Sequence, residues 1–89
     1  MRLDLFLKAS RLSGRRTQAQ KLCNAGRVSI NGNIAKSSHA VKVGDEICIP
    51  RHHILTTVRV LSVPTARQTS RQEAITLYEV VGRESLDEA

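Results

Sequence analysis

The chain is nearly without aromatic side chains: Phe6 and Tyr78 are its full complement, and it has no tryptophan. Proteins that read single-stranded nucleic acid stack bases on aromatic rings, each stack contributing ~1–3 kcal/mol. Phe6 belongs to an apolar stripe, so no stacking platform remains. Cysteine is equally scarce. Cys23 and Cys48 stand apart, without the spacing of a zinc site or a disulfide framework, and read as small apolar residues kept reduced. Long apolar runs are missing too, none approaching the ~20 residues of a membrane helix. The opening Met1-Arg2-Leu3-Asp4-Leu5 is charged where a secretory signal needs its apolar stretch. A cytoplasmic protein with no membrane partner is expected.

Catalytic equipment is also absent. His39 lies in a polar loop, and His52 and His53 are neighbours beside Arg51. In an extended segment adjacent side chains point apart, which makes this pair a poor metal ligand or proton relay. Ser10, Ser13, Ser37 and Ser38 have no basic partner pattern for nucleophilic attack. Gly26, Gly32 and Gly44 each mark a turn, and no phosphate-loop pattern joins them. The expectation is a non-enzymatic protein without metal or cofactor.

What the chain does have is charge of one sign in one half. Its 89 residues carry a net charge of +6, and the division is sharp. Met1 to Gly44 holds nine basic residues against Asp4 alone, a net +8, whereas the remainder is −2. A single-sign field over half of a small domain opposes folding by self-repulsion, and so points to a polyanionic partner.

The hydrophobic pattern supplies the elements. Leu3, Phe6 and Leu7 have the spacing of one buried helix face, with Asp4 as cap or first-turn acid, or as the group that orients a nearby arginine. Leu12-Ser13-Gly14 interrupts this helix. A second helix is predicted from near Arg15 to Ala25, burying Ala19, Leu22 and Cys23, with Gly26 as its left-handed stop. On that register Arg16 and Gln20 face away from the core. Val28-Ser29-Ile30 and Asn33-Ile34-Ala35 flank Asn31-Gly32, a strong hairpin turn, and Asn31 reads as a turn residue rather than a ligand contact. Further strands are predicted at 47–49, ended by Pro50, at 57–61 and at 77–81. Between the last two, 64–70 is expected to be polar and mobile. A short helix capped by Ser70 and Glu73 should run through Ala74, and the acidic tail from Glu84 should fray. The fold class is therefore α+β, two short N-terminal helices packed on a small, mostly antiparallel β-sheet.

Without stacking rings, recognition must rest on phosphates and shape, which suits structured RNA. Arg16 and Gln20 on the second helix would also suit a reader of the DNA major groove, so charge alone does not exclude DNA; the short helix and the immediate hairpin count against it.

The run Arg15-Arg16-Thr17-Gln18-Ala19-Gln20-Lys21-Leu22-Cys23-Asn24-Ala25-Gly26-Arg27-Val28-Ser29-Ile30-Asn31-Gly32 resembles the core of the αL RNA-binding domain named after ribosomal protein S-four. With Arg2-Leu3-Asp4-Leu5-Phe6-Leu7 before it and Val43-Gly44-Asp45-Glu46-Ile47 after it, the likeness covers about half the chain. It implies an αL domain over residues 1–62. Residues 63–89 would then be a C-terminal extension with a short helix, a last strand and an acidic tail. Arg2-Leu3-Asp4, Arg15-Arg16-Thr17, the Asn31-Gly32 hairpin and the terminal Glu73-Ala74 and Leu77-Tyr78 together resemble stand-alone members in bacterial ribosome-associated quality control, and the tail pattern is also similar to a fifteen-kilodalton heat-shock type. The quality-control likeness implies large-subunit rRNA, tRNA and the large ribosomal subunit as partners. It also implies a tail-elongating quality-control factor that adds alanine to stalled chains. The heat-shock likeness implies recycling of large subunits carrying peptidyl-tRNA. Arg2 and Arg16 are the leading RNA-binding candidates, with Arg15, Lys8, Arg11 and Lys36 widening the patch. Two other classes stay open: a protein-interaction module using the acidic C-terminal half, and chemistry run by the histidines.

Overall fold

In the computed structural model of the protein, residues 1–65 and 69–86 are described. Two helices, α1 (Leu3–Ala9) and α2 (Arg16–Asn24), precede four strands: β1 (Ser29–Ile30), β2 (Asn33–Ile34), β3 (Glu46–Arg51) and β4 (Ile54–Val60). A third helix, α3 (Arg71–Thr76), leads into β5 (Tyr78–Ser85). The strands form a single antiparallel sheet in the order β2-β1-β3-β4-β5. The α+β expectation is met.

One apolar cluster joins the layers. Leu3, Phe6 and Leu7 of α1 are fully buried, Ala19 and Cys23 of α2 face them, and Ile30, Ile47, Ile49, Val58 and Val60 close the core from the sheet. Each large side chain withdrawn from water in this way stabilises by ~1.5–3 kcal/mol. Because Ile47 and Ile49 alternate with half-buried Glu46 and Cys48, β3 cannot slip by one residue without exposing its core face.

The chain is punctuated as its turn residues dictate. Gly26, at φ 71, closes α2 in a Schellman motif, its N–H donating to Cys23 and that of Arg27 to Leu22. Asn31 and Gly32 both take positive φ between β1 and β2, as a type I′ turn demands. Asn31 does more than turn: its side chain bonds Asp45 and accepts from the N–H of Glu46, tying the hairpin to β3. Ser70 caps α3 by accepting from the Glu73 N–H at 3.1 Å. Ser70→Ala is expected to lower stability by about 1 kcal/mol, read as a fall in the urea midpoint without a change in slope.

Three expectations are corrected. Pro50 does not end β3; it pairs with Leu55 at a point where short β1 no longer lies alongside, so its missing N–H costs no ladder bond there. His52 and His53 are not in an extended segment. They form the two-residue turn of a β3–β4 hairpin at φ 47 and φ 63, which starts β4 at Ile54 rather than Thr57. Glu84 and Ser85 are strand rather than frayed tail, paired with Leu55 and Ile54. At the end of the 64–70 segment, the Thr69 hydroxyl donates to the Ala9 carbonyl. Residues 66–68 of that segment and 87–89 of the tail lie outside the described residues. β5 is an outer strand, and the charged Glu79, Arg83 and Glu84 guard its edge.

Candidate nucleic-acid interface

The basic half is organised around one buried acid. Asp4, fully buried, is the second residue of α1, and no side chain caps that helix. Backbone carbonyls of the loop after β2 take over instead, Leu3 N–H donating to His39 and Asp4 N–H to Ser37. The Asp4 carboxylate collects one first-turn N–H and three side chains. Its Oδ1 accepts from Arg2 Nε at 3.2 Å and from the Leu5 N–H at 2.8 Å. Its Oδ2 accepts from Arg16 Nε at 3.2 Å and from the Gln20 amide at 3.0 Å. Burial works to raise the Asp4 pKa, but the Gln20 and Arg16 hydrogen bonds and the charges of Arg2 and Arg16 together leave it below the ordinary value.

Both arginines meet Asp4 through Nε. Their side chains remain 45% exposed at Arg2 and 39% exposed at Arg16, which leaves guanidinium surface open to solvent. Such a paired, pre-oriented guanidinium set has the fork geometry that matches phosphate oxygens. Arg16 and Gln20, one helical turn apart on α2, lie outside the apolar core as their register suggested, but they are not simply solvated. They reach across to α1, because Asp4 is there to receive them. Asp4 is not the cap, but it is a first-turn acid of α1 and at the same time bonds both arginines.

The other candidates divide. Arg15 is exposed immediately before α2, and Lys36 is exposed at the start of the loop whose carbonyls cover the beginning of α1. Lys8 is half-buried one turn beyond Asp4 on α1. Arg11 belongs elsewhere: at φ 62 it leaves the end of α1, and its guanidinium donates to the Thr69 carbonyl at 3.1 Å. Gln20 is a member of the cluster that sequence reasoning missed. Its four-residue spacing from Arg16 was a usable signal, but only the position of Asp4 gives that spacing meaning.

The acidic half is less available than its charge suggests. Arg59 on β4 bonds Glu79 at 2.8 Å and Glu46 at 3.3 Å across three strands. Asp45 is taken by Asn31 and by the Lys42 N–H. Among the described residues, no group of three His, Cys, Asp or Glu side chains could hold a metal ion. No helix among them is long and apolar enough to cross a membrane.

The likeness noted in the sequence is borne out. Residues 1–47 match the S4 domain family. A protein of Halalkalibacterium halodurans named RQC P-site tRNA stabilizing factor is 47% identical over 90 residues, spanning 100% of this chain and 99% of its own. The Bacillus subtilis protein of the same name is 46% identical over 88 residues, spanning 99% and 100%. Among solved structures, the trimeric Heat Shock Protein 15 of Vibrio cholerae superposes with a TM-score of 0.85 at 31% identity, covering 91% of this chain and 81% of that one.

Proposed function

The chain belongs to the S4 domain family, and from that premise we propose that it is a non-enzymatic RNA-binding factor of ribosome-associated quality control. It binds rRNA and tRNA on large subunits still obstructed by a nascent chain, and supports alanine tailing of that chain by a tail-elongating factor. The observation that carries this reading is the Asp4 cluster, which holds the forks of Arg2 and Arg16 side by side. Arg15, Lys8 and Lys36 extend the phosphate-facing surface around them. The names of relatives aligned over the whole chain support the ribosomal setting. A cytoplasmic location follows from it.

The test is to affinity-purify the protein from cells and ask what comes with it. Free large subunits carrying peptidyl-tRNA are expected, and alanine-tailed chains should decline when the protein is deleted. Binding to isolated subunits should weaken with salt, at a log–log slope of roughly 0.7–0.9 per phosphate contacted. A slope near zero would instead favour a protein-docking module. The likeness to Heat Shock Protein 15 favours a second reading, recycling of obstructed subunits. In that case peptidyl-tRNA accumulates on deletion while tailing continues.

A further inference from the structure

Beyond the far end of α1 from Asp4, the turn at 11–14 meets the β3–β4 hairpin, and a cleft of about 440 Å³ opens between them and α2. That volume lies at the lower end of the ~300–1,000 Å³ of small-ligand sites. Leu12, Leu22 and Pro50 give it apolar lining, Ser13 and Gln18 neutral polar lining, and Arg11, Arg51 and His52 complete it. No acid lines it. The same helix thus serves two basic surfaces. Arg16 and Gln20 face Asp4, while Leu22, about 200° around α2 from Gln20, lies in the cleft.

Two lining residues are also held against preference. Arg11 and His52 both take the left-handed backbone, at φ 62 and φ 47, which disfavours residues with a Cβ. The β1–β2 hairpin solves the same problem with Asn31-Gly32, the expected chemistry, but the β3–β4 turn keeps two histidines. Strain retained where a side chain lines a cleft points to a ligand for that side chain.

We propose that this cleft is a second RNA contact, which takes one unpaired nucleotide with its phosphate across Arg11 and Arg51 and its base against Leu12, Leu22 and Pro50. A lining that is cationic in part and apolar in part matches a nucleotide's two chemistries, and charge complementarity disfavours a basic or purely apolar occupant. The identity of the ligand rests on the RNA-binding reading above; the site itself does not share residues with the Asp4 cluster.

Adenosine 5′-monophosphate, inorganic phosphate and an acidic peptide, each titrated into the ¹⁵N-labelled full chain, test this. The nucleotide is expected to shift the amides of Leu12, Gly14, Arg51 and His52 saturably. Arg51→Ala should weaken that binding at least tenfold. His52→Gly should also weaken it while Tm stays the same or rises, because glycine relieves the turn; a purely structural His52 would leave binding unchanged. Arg16→Ala should leave the cleft shifts intact, which separates failure here from failure of the Asp4 surface. The proposal is overturned if the cleft amides do not respond, if inorganic phosphate binds as well as the nucleotide, or if only the peptide binds.

Discussion

Alanine at both Arg2 and Arg16 is expected to abolish co-sedimentation with large ribosomal subunits at physiological salt while the protein stays folded. Each guanidinium offers a charge-assisted pair of donors to phosphate, and such bonds contribute ~1.5–3 kcal/mol each. Removing both corresponds to roughly a 10²–10⁴-fold weaker complex. The fold should survive because neither side chain belongs to the apolar core, although the double variant is less stable than the parent, since buried Asp4 keeps only Gln20 and the Leu5 N–H as partners. Lysine at position 16 should not restore binding. Its ammonium cannot hold Asp4 through one nitrogen and present a planar pair with the others. Undiminished sedimentation of a folded double variant would remove Arg2 and Arg16 as the RNA-binding pair.

The second large effect is expected at a residue that touches no RNA. Asp4→Asn removes the buried charge to which Arg2, Arg16 and Gln20 are all bonded. It also raises the net charge from +6 to +7. If affinity were simply a matter of net charge, this variant would bind more tightly. With the arginines positioned by Asp4, it binds more weakly instead, on the order of tenfold for one guanidinium no longer aimed at its phosphate. The sign of the change decides between the two accounts. Stability falls as well, by roughly 1–2 kcal/mol once solvent screening of the half-exposed arginines is allowed for. In a domain of this size that lowers Tm by about 4–8 °C for each kcal/mol.

Acid should reproduce the stability effect in the parent protein. The Asp4 pKa is depressed in the folded state, so its contribution is complete above the unfolded aspartate value of about 3.9. It is lost as pH falls below that value and through the depressed folded one. Asp4→Asn should therefore flatten this part of the acid limb of a Tm–pH curve and leave neutral pH dependence alone. An acid limb identical in both proteins would mean that Asp4 carries no such linkage.

Much of the architecture was legible along the chain. The Leu3-Phe6-Leu7 spacing, Gly26 as helix stop and Asn31-Gly32 as hairpin are local features, set by steric rules that neighbouring residues enforce. The β3–β4 hairpin was not legible, because His52-His53 lacks the residue types that make such a turn favourable. It forms because the long Glu46–Arg51 and Ile54–Val60 ladder outweighs the cost of two left-handed residues. Pro50 was misread for a related reason: whether a strand tolerates proline depends on which of its edges is paired.

By itself, then, the sequence determined the two helices, the hairpin, the +8 half and the absence of stacking rings, all properties of composition or short-range spacing. Only the tertiary structure decided that Arg16 and Gln20 turn toward Asp4, twelve and sixteen residues away in the chain. It also decided that Arg11 faces Thr69 and a separate cleft instead of joining that cluster. Charge is counted along a chain, but a phosphate site needs guanidinium groups held at fixed positions, and those positions exist only once α1 and α2 are packed.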